Sequence, residues 1–240
     1  TEGKLATPND ILFDKETNQV AIPATDEDLP KKTALEGDII KRLNGYRGWT
    51  TRTTAKLNFS GDLEVSSITD TTFQVWEYPP DRTEPNRLAL NTDYTIDLYP
   101  TPDAVHSNET TLEIFPSSEG WKPGHRYVMT AVGGEAGIKG KGGRKVVADA
   151  AYWYLRLTKS LLENVDALPG KTRAERQDAA EKLEEIRLEL APYFSFAESI
   201  GLARKDIAQL WSFYITDAPE ILMDKEMGKM PLPSDFLRNP

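Results

Sequence analysis

The chain holds two histidines, His106 and His125, and no cysteine. That inventory narrows the available chemistry at once. A serine hydrolase needs a His, an acid and a Ser on a sharp G-x-S-x-G elbow, and no such pentapeptide occurs. The missing cysteine removes thiolate nucleophiles, thiolate metal sites and disulfides together. A two-His metal site needs further ligands at spacings this sequence does not offer. His125 reads as a surface strand residue, and His106 as part of the polar loop PTPDAVHSNE. The run GGEAGIKGKGGRK (133–145) fits neither G-x-x-x-x-G-K-[ST] nor G-x-G-x-x-G in any register. A mobile, basic β-hairpin loop is the better account, and Lys139, Lys141, Arg144 and Lys145 on it could meet an acidic partner. TDEDLP (25–30) clusters carboxylates that suit Ca²⁺, but it lacks the D-x-D-x-D-G loop grammar. With 38 acidic residues some pair always faces another, and nothing marks out a pair for glycoside hydrolysis. The expectation is therefore a protein with no catalytic residue, no metal and no cofactor.

The bulk composition bounds the partners. A net charge of −9 argues against nucleic acid and against an anionic membrane surface, both of which need clustered Lys and Arg. No stretch approaches the roughly 18 apolar residues of a membrane span. The sequence opens without Met or a signal segment, which reads as a processed piece or one cut from a longer chain. A length of 240 residues suits one large or two small domains.

The elements that would position any function are mostly strands. QVAIP (19–23) follows the turn DKETN, whose Asp14 and Asn18 suit local side-chain to backbone bonding. TAKLNFSG (54–61), TFQVWEY (72–78), DYTIDLYP (93–100), TLEIFP (111–116) and HRYVMTAV (125–132) alternate in the way half-buried strands do. Phe73, Val75 and Glu77 fall on one face, and so do Tyr127, Met129 and Ala131. Helical character runs from Asp149 to about Gly201. Ala150, Trp153, Tyr154, Leu157 and Leu161 share helical spacing, although YWYLRL also passes as a strand. Thr172 and Glu175 form a T-x-x-E capping box, and Ala179, Leu183, Ile186 and Leu190 make the apolar stripe of the next helix. The Arg, Glu, Lys and Gln of the other face read as its solvated side. Pro192 is expected to end or kink that helix, with one more short helix closed by Gly201. DIAQLWSFYITD (206–217) returns to β-character. The five tryptophans read as packing between elements, with a sugar-binding face as the alternative.

Two ten-residue stretches repeat each other. GKLATPNDIL (3–12) and GKMPLPSDFL (228–237) share five identities at an offset of 225. Self-similarity of this kind marks an array. It divides the chain into one module, residues 1–218, and a linker plus the opening strand of a further repeat, residues 219–240. That strand could add to a free sheet edge and drive self-association.

Trp121-Lys-Pro-Gly124-His-Arg-Tyr127 has the spacing of a tyrosine corner, in which the phenol closes on upstream backbone. LNGYRGWTTRTTAKLNFSGDLEVSSITDTTFQVWEY resembles the opening of bacterial Ig-like domains. PNDILFDKETNQVAIP, the glycine-rich run and DIAQLWSFYITDAPE with Trp211 are similar, in order, to N-terminal domains of bacterial surface lipases of the virulence-factor type. The same series is also similar to multi-module envelope lipoproteins of proteobacteria. The resemblance implies a mainly β fold, an Ig-like β-sandwich with an α-helical insertion at about 149–204 before the last strand. It implies structural roles for Trp121, Gly124, Tyr127 and Trp211. It also implies an exported setting, at the cell envelope, outer surface or outside the cell. The expected function is non-catalytic: adhesion, scaffolding or spacing in a tandem array, with a protein or neighbouring modules as partner. The alternatives are an accessory domain of a secreted serine hydrolase or lipase and a glycan-binding module.

Overall fold

A computed structural model describes residues 6–14, 16–17, 19–22, 44, 46–81, 84–100 and 109–217. TDEDLP, His106 and the second decapeptide lie outside the described residues. The chain is mainly β. Its strands are β1 (Phe13–Asp14), β2 (Gln19–Val20), β3 (Ala55–Phe59), β4 (Phe73–Tyr78), β5 (Asn86–Leu88), β6 (Tyr94–Pro100), β7 (Thr110–Pro116), β8 (Arg126–Val132), β9 (Lys139–Gly140), β10 (Arg144–Lys145) and β11 (Ile207–Tyr214). Pairing is antiparallel throughout these sheets. The larger sheet has the order β11-β8-β4-β5, the smaller β3-β7-β6, and β1-β2 and β9-β10 are short hairpins.

Strand alternation builds the core. Period-two spacing sends every second side chain to the same face. Phe73, Val75, Met129, Ala131, Trp211 and Phe213 of the larger sheet meet Ala55, Leu57, Leu112 and Ile114 of the smaller one in a single buried cluster. Phe73 stands opposite Ala131, and Val75 opposite Met129. In the turn after β1, Asp14 Oδ1 accepts from the amides of Glu16 at 3.0 Å and Thr17 at 2.7 Å.

β8 and β11 are buried on both faces, because helices cover the outer face of the larger sheet. α1 (Ala150–Leu155) is short, so the stripe expected through Leu157 and Leu161 does not form on one helix. Tyr152 and Leu155 turn inward instead, and Tyr152 Oη donates to the Leu210 carbonyl at 2.9 Å. Trp153 is left 47% exposed. A 3₁₀ segment (Leu161–Ala167) leads to α2 (Arg173–Ser199). Thr172 and Glu175 make the reciprocal capping box at its start. That arrangement is worth about 1 kcal/mol.

Two features of α2 differ from the sequence reading. Pro192 does not end the helix, which runs on to Ser199. The carbonyl that Pro192 cannot serve belongs to Leu188, on the exposed side, where solvent can take its place. Glu184 and Arg187 are not on a solvated face but buried. Arg187 donates to both Glu184 oxygens, at 2.8 and 2.7 Å, and to the Leu157 carbonyl at 3.3 Å. Glu184 also accepts from the Leu161 amide at 2.9 Å. The pair thus satisfies its own charges while fastening the 3₁₀ segment to α2. Arg187 holds the Glu184 carboxyl down to about 2. Past Ser199, Gly201 donates to the Glu198 carbonyl and Leu202 to that of Ala197, the two bonds of a Schellman closure.

Candidate functional site: a clasp and a tyrosine-lined cleft

Polar and aromatic groups converge at one end of the larger sheet. Register explains the convergence. Arg126 pairs with Tyr78 on one side and Tyr214 on the other, and Tyr127 pairs with Glu77 and Phe213. The first row faces outward toward α2, and the second faces the core.

The inward row holds a buried carboxylate. Glu77 is 2% exposed, with Lys122 Nζ at 3.0 Å and His125 Nδ1 at 2.9 Å. Tyr127 Oη donates to it at 3.3 Å and accepts from the Lys122 amide at 2.8 Å. Burial pushes the Tyr127 phenol far above its ordinary range. His125 is therefore not a surface strand residue: it precedes β8 and its side chain is 18% exposed, turned in because Glu77 occupies an inward slot of β4. Carboxylate, imidazole, phenol and ammonium together are acid–base groups. Here Lys122 and Tyr127 both donate to Glu77, an arrangement for holding a turn in place, while His125 Nδ1 lies against Glu77 without making a hydrogen bond to it.

Trp121, Gly124 and Tyr127 build that turn. Trp121 Nε1 donates to the Thr53 carbonyl at 2.7 Å, and its ring lies 4.7 Å from that of Tyr127. Gly124 takes φ +75°, and its amide donates to the Ile215 carbonyl at 3.0 Å. Tyr127 stacks on Phe213 at 5.6 Å. Trp211 is buried in the same core, 6.2 Å from Phe73.

The outward row is a clasp. Asn9 caps a short 3₁₀ turn, accepting from the Ile11 amide at 3.1 Å. The turn aims Asp10 at the end of β11. There Asp10 accepts from Ser212 Oγ at 2.7 Å and the Tyr214 amide at 2.9 Å, and pairs with Arg126 Nε at 3.0 Å. Burial raises the Asp10 carboxyl, and Arg126, Ser212 and Tyr214 oppose that rise. The clasp ties the turn at Asp10 to β8 and β11.

Beside the clasp opens a cleft of about 670 Å³, lined among others by Tyr78, Tyr193, Tyr214, Pro79, Pro80 and Arg126. Arg126 donates to Tyr193 Oη at 3.3 Å and lies 6.0 Å from the Tyr214 ring. Tyr78 and Tyr193 meet edge to face at 5.7 Å. Tyr78 Oη is buried and has no hydrogen-bond partner among the described residues. Aromatic faces beside a guanidinium and phenol groups suit stacking and hydrogen bonding together.

Comparison with protein-family models, with curated proteins and with solved structures finds no match for this chain.

The basic hairpin lies elsewhere. Lys139 Nζ donates to the Gly134 carbonyl at 2.7 Å, and its backbone is bonded to Glu64 and Ser67. Lys145 pairs with Glu135, and Lys141, 81% exposed, lies 4.0 Å from Asp62. Arg144 is exposed on β10. Its own acids and carbonyls thus answer much of the hairpin's charge. Among the described residues no group of three or more His, Cys, Asp and Glu could hold a metal ion, and no helix there is long and apolar enough to cross a membrane.

Sequence reasoning missed Asp10, Arg126 and Glu77. A signal existed for two of them. Glu77 is a charged residue at an inward position of an alternating strand, and Asp10 is one of the residues common to both decapeptides. Nothing local distinguished Arg126.

Proposed function

We propose that this chain is an Ig-like β-sandwich module of an exported or cell-surface bacterial protein, with a non-catalytic role as a scaffold, adhesive element or spacer in a tandem array. The observation that carries the reading is strand order. The orders β3-β7-β6 and β11-β8-β4-β5 around a shared core support it, because an immunoglobulin-like sandwich would order its B-E-D and G-F-C-C′ strands in the same way. The bond from the Lys122 amide to Tyr127 Oη, at the start of the strand equivalent to F, supports it. The repeated decapeptide supports the array, and the bonds that Lys122 and Tyr127 donate to Glu77 support a structural use for that carboxylate. Labelling intact producing cells with a membrane-impermeant amine reagent tests the setting, since Lys141 is freely exposed. Modification on intact cells is the expected result; modification only after lysis contradicts an exported, surface-held protein.

The tyrosine-lined cleft favours a second reading, glycan binding, because tyrosine faces beside Arg126 match the alternating apolar and hydroxyl surfaces of a sugar. Titration of a broad glycan panel against aromatic fluorescence tests it. A saturable change with at least one glycan supports binding, and silence across the panel rules it out.

A further inference from the structure

The clasp recognises a small, definable feature. Pro8, Asn9 and Asp10 form a turn that presents one carboxylate to Arg126, Ser212 Oγ and the Tyr214 amide. Asn9 is buried and fixes the turn through its Oδ1 bond to the Ile11 amide and its Nδ2 bond to the Ala6 carbonyl, 3.1 and 3.2 Å. Thr7 is exposed and Ile11 only half-buried, so their side chains contribute little to the fit.

The second decapeptide keeps the proline and the carboxylate of the clasp and exchanges the residues between and around them. Pro233, Asp235 and Leu237 match Pro8, Asp10 and Leu12. Ser234 replaces Asn9, and serine caps a helical turn about as well. Phe236 replaces the half-buried Ile11, and Leu232 the exposed Thr7. We infer that the clasp is a docking site for Pro-x-Asp turns, and that its second occupant is residues 232–237 of another copy of this chain. Asp235 of one copy then takes the position of Asp10 between Arg126 and Ser212 of the next. The partner is defined by chemistry: an acidic turn seated on a guanidinium, a hydroxyl and a strand-end amide. This goes beyond a spacer role, because it gives successive copies a specific joint.

Full-length variants test the assignment. Thr7→Leu, Asn9→Ser and Ile11→Phe together place the sequence of residues 232–237 at positions 7–12. Tm is expected to stay within about 2 °C of the parent, while Asp10→Asn in either background lowers it by roughly 4 °C or more. A transplant that falls as far as Asp10→Asn overturns the inference. Sedimentation of full-length Asp10→Ala supplies the second measurement. It is expected to show a concentration-dependent dimer that Asp235→Asn abolishes. A monomer at all concentrations, or association that survives Asp235→Asn, overturns it. Neither readout depends on any sequence beyond Pro240, so the array reading stands or falls separately.

Discussion

Tyr127→Phe isolates one hydroxyl at the junction of core and turn. The ring is buried between Trp121 and Phe213, and phenylalanine keeps that packing. What disappears is the acceptor of the Lys122 amide, 2.8 Å away, and the donor to Glu77 at 3.3 Å. Glu77 retains Lys122, so its loss is small. The Lys122 amide has no such substitute. A net hydrogen bond contributes about 1 kcal/mol, and an orphaned, partly buried donor costs about 1 kcal/mol more. The expected destabilisation is therefore about 2 kcal/mol, or roughly 4–8 °C in Tm for a domain of this size. Urea unfolding and calorimetry at pH 7 measure it, with the m-value unchanged because the surface exposed on unfolding is the same. A change below about 0.5 kcal/mol, within the range of neutral surface substitutions, refutes the argument that this hydroxyl holds the turn.

Other parts of the molecule give further outcomes. Arg187 depresses the Glu184 carboxyl from its ordinary 4.5 to about 2, so its stabilisation is present above pH 4.5 and lost as pH falls through about 2. The linked free energy is at most about 3 kcal/mol. Urea midpoints measured from pH 6 to 2 should fall more steeply for the parent than for Glu184→Gln, and parallel curves contradict the pairing. A Cβ at Gly137 would overlap the carbonyls of Val132 and Gly133, so Gly137→Ala should cost about 3 kcal/mol or more by displacing backbone. Gly142, with open space around it, should cost only about 1–2 kcal/mol when made Ala, from its positive φ; equal losses at the two sites contradict the steric account. Tyr193→Ala removes one wall of the cleft and should abolish any glycan-induced fluorescence change while leaving the far-UV spectrum intact. A retained glycan response places binding elsewhere.

Strands β3, β4, β6, β7 and β8 were legible because their side chains alternate with period two, whereas β5 carried no such signal. Phe73-x-Val75 and Tyr127-x-Met129-x-Ala131 point to the core in the structure as the period-two pattern requires. The capping box at Thr172 was legible for the same reason: its chemistry is local. Pro192 and the Glu184–Arg187 pair were not. A proline is tolerated where the carbonyl it orphans faces solvent, and a charged pair is buried where each charge finds the other. Both are tertiary facts that no window of sequence contains. The clasp lay between these cases. Asp10 stood in a repeated motif, but its partners are 202 and 204 positions away. Such long-range bonds leave no periodic trace.

The central claim is that this chain is a structural module in an array. Peptide mass spectrometry of the intact native polypeptide, read beyond Pro240, tests it most directly. The account predicts that the GKMPLPSDFL stretch continues into a further β-rich module. A G-x-S-x-G hydrolase domain in that position would contradict it and make this chain the accessory half of an exported lipase.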